Sequence, residues 1–238
     1  MKIIKLFFLL TLLFFSIRIY STEKRINATY SYDIDKFLTI NEDSFLLFGR
    51  LPFATELYDL DRGDSILAEG KVQYESDKFI RLTSKDYELE AKKNMTIIDS
   101  MDSCLNDSLR FTFIFPFDGK YKIILYLGND YKNEIKYELE NQNEIILPTP
   151  KDSISTFSFR ILNQTPIDPY RNYLKNVQFG SFLNTIKSNN SNSFKIYIPD
   201  LTNSYFNRYL INGEYIRVSK NRDILFFHNE KYTRSIKQ

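Results

Sequence analysis

The sequence predicts an all-β protein, an antiparallel β-sandwich with β-hairpins flanking it. Three observations predict this. From Ser44 onward, short runs rich in Phe, Tyr, Ile and Thr, alternating or continuously apolar, are separated by a few polar residues, which is the pattern of antiparallel strands. No long stripe at helical spacing competes with them. The stretch FTFIFPFDGKYKIILYL, Phe111 to Leu127, sets two strongly apolar runs on either side of Asp118-Gly119.

The chain opens MKIIKLFFLLTLLFFSIRIYSTEK, with Lys2 and Lys5 ahead of an apolar run from Leu6 to Ile17 and the more polar Arg18 and Ser21 after it. This is the layout of a secretory signal peptide over residues 1–21, with Ile19 and Ser21 at the −3 and −1 positions of cleavage. A spanning helix needs about 20 apolar residues, so the run is short for one, and Arg18 leaves an uncleaved anchor as the alternative. No cysteine near the site can serve as the acceptor thiol of a bacterial lipoprotein. The expectation is export to a periplasmic or extracellular location, with membrane contact only through this segment if it stays uncleaved.

Strands are predicted at Ser44–Arg50, Ser65–Tyr74, Phe79–Thr83, Met95–Asp99, Leu109–Phe115, Tyr121–Leu127, Glu134–Glu140, Glu144–Leu147 and Thr156–Leu162, then at Phe194–Ile198, Glu214–Val218, Asp223–Phe227 and Tyr232–Ser235. Phe111, Phe113 and Phe115 share one strand face because side chains alternate, and Tyr121, Ile123, Leu125 and Leu127 share another. Asp118-Gly119 is read as a reversal joining the two runs into a hairpin. A hairpin this apolar is stable only when a second sheet covers it; an exposed aromatic ligand surface is the alternative. Ile114 and Ile124, on the opposite faces, mark both strands as central.

Pro148-Thr149-Pro150 marks a sharp connection, KSNNSNS from Lys187 to Ser193 an exposed loop, and Asn212-Gly213 a hairpin turn, since both residues tolerate positive φ. Residues 22–93 are expected to form an N-terminal β-meander, 94–165 the sandwich, and 166–238 a C-terminal hairpin segment packed on the domain before it. The roughly 215 residues after the signal suffice for one large domain or two small ones.

Composition narrows the function classes. Lys plus Arg at 32 against Asp plus Glu at 30 leaves +2, with the signs mixed and no basic block, so nucleic acid is not expected as a partner. A single cysteine, Cys104, forms no internal disulfide. Between apolar Met101 and Leu105 it is expected to be buried, the alternative being a free thiol.

The segment DSLRFTFIFPFDGKYKIIL, Asp107 to Leu125, resembles the middle of carboxypeptidase-regulatory or transthyretin-like sandwich domains of exported Bacteroidetes proteins. ILAEGKVQYESDKFIRLTS, Ile66 to Ser84, looks like the hairpin that precedes such sandwiches, and FKIYIPDLTNSYFNRYLINGEYIRV, Phe194 to Val218, like their closing segment. The family's Asp-x-x-Gly turn is shortened here to Asp118-Gly119. The resemblance implies a transthyretin-like centre and a non-enzymatic exported module, and it carries no catalytic motif. It also implies O-glycan acceptors at Ser65, Ser100, Ser108 and Ser153, beside the sequons at Asn27, Asn94, Asn106, Asn163 and Asn189.

Candidate chemistry is sparse. The one histidine, His228, ends a predicted strand, and no nucleophile elbow is present for it to serve. The loop YDLDRGDS places Asp59, Asp61 and Asp64 like ligands of a hard cation, yet it departs from the EF-hand pattern: Gly63 stands where the third acid belongs and Gly70 where the bidentate Glu belongs. A solvated turn is the ordinary reading there, as it is for Arg62-Gly63-Asp64. No cofactor is expected. In the C-terminal segment, Tyr205, Arg208, Tyr209, Tyr215 and Arg217 are of the residue types enriched at interface hot spots, or else close the core. Two functions follow: an exported non-enzymatic module binding an envelope protein or glycan, and a glycan-active hydrolase using a carboxylate pair.

Overall fold

The computed structural model describes residues 25–33, 36–49, 65–128, 134–148, 154–164, 175–186 and 191–235. The signal segment and the loop with Asp59, Asp61 and Asp64 lie outside these residues. The protein is all-β and packs around two hydrophobic cores.

The first core fills a closed antiparallel barrel. Its strands are β1 (Asn27–Asp33), β2 (Lys36–Asn41), β3 (Ser44–Gly49), β4 (Ser65–Ser76), β5 (Phe79–Ser84), β17 (Asn212–Val218), β18 (Ile224–Phe227) and β19 (Glu230–Arg234), and β19 pairs back onto β1. Alternation drives closure. Leu38, Ile40, Phe45, Leu47, Ile80, Leu82, Ile216, Val218, Leu225 and Phe227 all point inward and are buried, and an eight-stranded barrel is just wide enough to be filled by such side chains. A bulge opposite Leu47 and Phe48 turns Leu67 and Ala68 both inward. At Gly70 a Cβ would lie 2.1 Å from the Thr83 carbonyl oxygen, so only glycine lets β4 and β5 approach here. At one barrel end Lys36 is buried, its Nζ donating to Glu230 Oε2 at 2.5 Å while Tyr232 donates to the same oxygen.

Between β5 and β17 the chain leaves the barrel to build a sandwich. One sheet runs β10 (Glu144–Leu147), β7 (Leu109–Ile114), β15 (Ser193–Tyr197), β6 (Thr96–Ser100), with β7 and β15 parallel. The other places β8 (Tyr121–Gly128) between β9 (Ile135–Glu140) and β11 (Thr156–Asn163), with β13 (Phe179–Gly180) and β14 (Asn184–Thr185) on β11's far side. Phe111 and Phe113 of the first sheet meet Phe157 and Phe159 of the second edge-to-face, at 5.1 and 5.0 Å between ring centroids. The apolar run is therefore sandwich core. The residues around Asp118-Gly119 do not close a hairpin, however: β7 and β8 belong to different sheets, so the connection arches across the core and each run covers the other.

Two short helices and a two-stranded ribbon join the units. In α1 (Tyr87–Asn94) Asp86 caps the N-terminus by accepting from Leu89 N at 2.9 Å, with Glu88 and Glu90 in the first turn and Lys92 and Lys93 in the last. The ribbon pairs β12 (Lys175–Asn176) with β16 (Tyr209–Leu210), and α2 (Asn203–Phe206) precedes it. Tyr87 belongs to the sandwich core, yet its hydroxyl accepts from Glu69 N and donates to Glu69 O on β4. The crossing strands are tied where they pass, Ser84 N donating to Ile211 O at 2.8 Å. The meander expected in residues 22–93 thus closes into a barrel with the C-terminal strands 212–234, and residues 87–210 stand as an insertion between them.

Three local expectations are corrected. Asn212-Gly213 lies inside β17, where Gly213 at φ +75° forms a bulge against β5; positive φ serves a bulge as well as a turn. Cys104 is exposed: residues 101–108 form turns in which only Leu105 points inward, and Cys104 N donates to Asp102 Oδ1. Of the expected loop 187–193, Ser191, Asn192 and Ser193 are buried, because their polar groups find partners. Asn192 clamps Asp102 with both ends of its amide, Asp102 N donating to Oδ1 at 2.7 Å and Nδ2 donating to Asp102 O at 2.9 Å, and Ser191 Oγ donates to Asp99.

Candidate functional site at the barrel surface

The five candidate binding residues fall into three places. Tyr209 is buried as part of the barrel core. Tyr205 and Arg208 line a cleft of about 230 Å³ between α1 and α2, with Tyr87, Glu90, Ala91, Asp200 and Thr202. Tyr215 and Arg217 stand on the outer face of β17, because Ile216 and Val218 take the inner face.

In the junction cleft Arg208 lies over the Tyr87 ring at 4.6 Å, a cation–π contact that fixes the guanidinium plane. Tyr205 is buried and donates to Gln178 O at 3.0 Å. Burial raises its pKa strongly, and the charges of Glu88 and Asp86 raise it further, so the phenol stays neutral. Asp200 accepts from Asn94 Nδ2 at 2.7 Å. The cleft therefore presents one guanidinium and two carboxylates around tyrosine rings.

The outer face of the barrel gathers guanidinium groups and aromatic rings around β17. Cross-strand register sets Tyr215 opposite Arg81, and Arg217 opposite both Phe79 and Phe226. Arg217 lies over Phe226 at 4.1 Å. Arg81 donates to Gln73 at 2.5 Å and has Glu75 at 3.3 Å. Below Arg217 the β4–β5 turn and the β17–β18 turn enclose a groove of about 820 Å³ lined by Asp77, Lys78, Phe79, Arg217, Val218, Ser219, Lys220, Arg222 and Phe226. Four cations face one carboxylate there.

Local sequence explains how Arg222 is aimed. Ser219 Oγ donates to Asn221 Oδ1 and accepts from Ile224 N, Asn221 Nδ2 donates to Asp223, and Arg222 N donates to Ser219 O. This turn holds Arg222 at φ +62°, a region L-residues avoid, and Tyr30 secures its carbonyl by donating at 2.9 Å. Sequence reading missed Lys78, Lys220, Arg222 and Phe79, because nothing local pairs two turns about 140 residues apart that only closure brings together. The polar run Ser219–Asp223 carried a turn signal and no more.

Among the described residues no group of His, Cys, Asp and Glu is arranged to hold a metal ion, and no helix is long and apolar enough to cross a membrane. His228, at φ +47°, shares the β18–β19 turn with Asn229, and its Nε2 lies 3.5 Å from Glu214. Compared with family models, curated proteins and solved structures, the chain matches none.

Proposed function

We propose that this protein is an exported, non-enzymatic binding module of the cell envelope that holds its partner on the outer face of the barrel around Tyr215 and Arg217. The observation that carries the reading is Tyr215 itself, 57% exposed in the middle of a paired strand, with Arg81 beside it and Arg217 next along the same face. Large rings, which lose little entropy when covered, and guanidinium groups, which offer several donors in one plane, are the residue types that dominate binding energy. Export rests on Lys2, Lys5 and the apolar run to Ile17. The two-sheet centre agrees with the likeness to transthyretin-like sandwiches. The partner is an envelope protein or glycan, and no cofactor enters the reading.

A second reading, hydrolysis of a glycan by a carboxylate pair, draws on the cleft that brings Glu90 and Asp200 among Tyr87 and Tyr205. One experiment separates the two. Protein recovered from the envelope is expected to begin after Ser21, to capture a partner from envelope extract, and to lose that capture as the Tyr215→Ala, Arg217→Ala variant while remaining folded. Equal capture by both proteins overturns the binding face, and turnover of a chromogenic glycoside abolished by Glu90→Gln replaces it with the hydrolase.

A further inference from the structure

We propose that the groove beneath Arg217 is a binding site for an acidic glycan, one carrying sulfate, phosphate or carboxylate groups along its chain. This rests on the barrel face being the binding face and names the chemistry that face takes.

The groove holds Lys78, Arg217, Lys220 and Arg222 against Asp77 alone. That carboxylate neutralises little: it lies 3.8 Å from Arg222 Nη2 and its side chain is 90% exposed, where an ion pair is screened by water. Arg222 Nη1 is buried and makes no hydrogen bond. A buried donor without a partner is destabilising, and here it is combined with a left-handed backbone held by Tyr30 and the Ser219–Asp223 turn. Arg222 is thus a strained cationic position beside three further cations and one water-screened carboxylate, which leaves an excess of positive charge in the groove. An oxyanion is the group that meets it, since guanidinium pairs best with planar or tetrahedral oxygens.

The shape selects among anion sources. Arg222 lines a concave groove and its side chain is only 20% exposed, so a flat lipid surface reaches the exposed lysines and not Arg222. A glycan chain can enter, with its charged groups on Arg222 and Lys220 and its ring faces against Phe79, 41% exposed, and against Phe226, which Arg217 already covers in part.

The test uses the full chain with dextran sulfate, neutral dextran and vesicles of phosphatidylglycerol in phosphatidylcholine, at low and at physiological ionic strength. Dextran sulfate is expected to bind, more weakly as salt rises, and neutral dextran not to bind. Arg222→Gly suits the left-handed backbone and keeps the fold, and it is expected to weaken dextran sulfate roughly tenfold through the lost charge-assisted hydrogen bonds. Lys195→Ala on the sandwich leaves binding unchanged. Equal binding by Arg222→Gly overturns the site, as does binding of neutral dextran, and vesicle binding as tight as that of dextran sulfate overturns the glycan assignment. Capture through Tyr215 and Arg217 that persists without dextran sulfate binding defeats this inference alone; loss of that capture dependence with dextran sulfate still held at Arg222 defeats the envelope-partner reading alone.

Discussion

His228 shows how a single residue is set by its surroundings more than by its type. Burial depresses its pKa below the ordinary 6.5, and the positive charge of Lys36 acts in the same direction, while Glu214 and Glu230 pull the other way and lose. The unfolded chain therefore takes up a proton first as pH falls through about 6.5, and folding stability decreases with it. Denaturant midpoints are expected to fall as pH is lowered from neutral through that value, and His228→Asn, which keeps a residue at ease with φ +47°, is expected to remove this part of the slope. An unaltered slope in the variant would place the titration elsewhere. At this scale the sequence was legible where chemistry alone decides, as in the inward Phe111 and Phe113. It was illegible where partners decide: Cys104 between two apolar neighbours is exposed, whereas Asn192 in a polar run is buried because Asp102 answers its amide.

Strands were read well because alternation is a local property. β10 at Glu144–Leu147 is found at its expected bounds, and β7, β8 and β11 lie within a residue or so of theirs. β1 and β2 were missed: NATYSYD gives the core only Tyr30 and the partly buried Ala28, KFLTIN opens on a lysine whose burial depends on the distant Glu230, and the two-residue strands β12, β13, β14 and β16 are too short to show a period. α1 escaped for a similar reason, being two turns long with only Tyr87 and Ala91 buried. The packing of β7 gives a quantitative expectation. Phe113→Ala removes a ring held edge-to-face by Phe159 and is expected to lower unfolding free energy by about 3 to 5 kcal/mol. Ile114→Ala, on the exposed face of the same strand, is expected to fall within about 0.5 kcal/mol. Equal effects in urea titrations would mean that this face is not the sandwich interior.

At the scale of the molecule the informative fact is the pairing of β1 with β19, Tyr30 opposite Arg234, across nearly the whole described chain. Period and turn chemistry indicate where strands lie but not which distant strand each one meets, so the C-terminal segment could be expected to pack on its neighbour in sequence. Closure instead removes both sheet edges of the barrel, gives Tyr232, Leu225 and Ile216 an interior to fill, and brings the β4–β5 and β17–β18 turns together as the walls of one groove. The sandwich keeps a core of its own and enters and leaves the barrel where Ser84 and Ile211 are hydrogen-bonded. The barrel built from the two ends of the chain is thus the unit on which the proposed binding site rests. It is tested most directly by replacing residues 86–207 with a short flexible linker from Lys85 to Arg208 and measuring the affinity of the shortened chain for dextran sulfate. A folded barrel that binds as tightly as the whole protein and loses binding with Arg222→Gly is expected; an unfolded chain, or a folded one that no longer binds, would show that the barrel alone does not make the site.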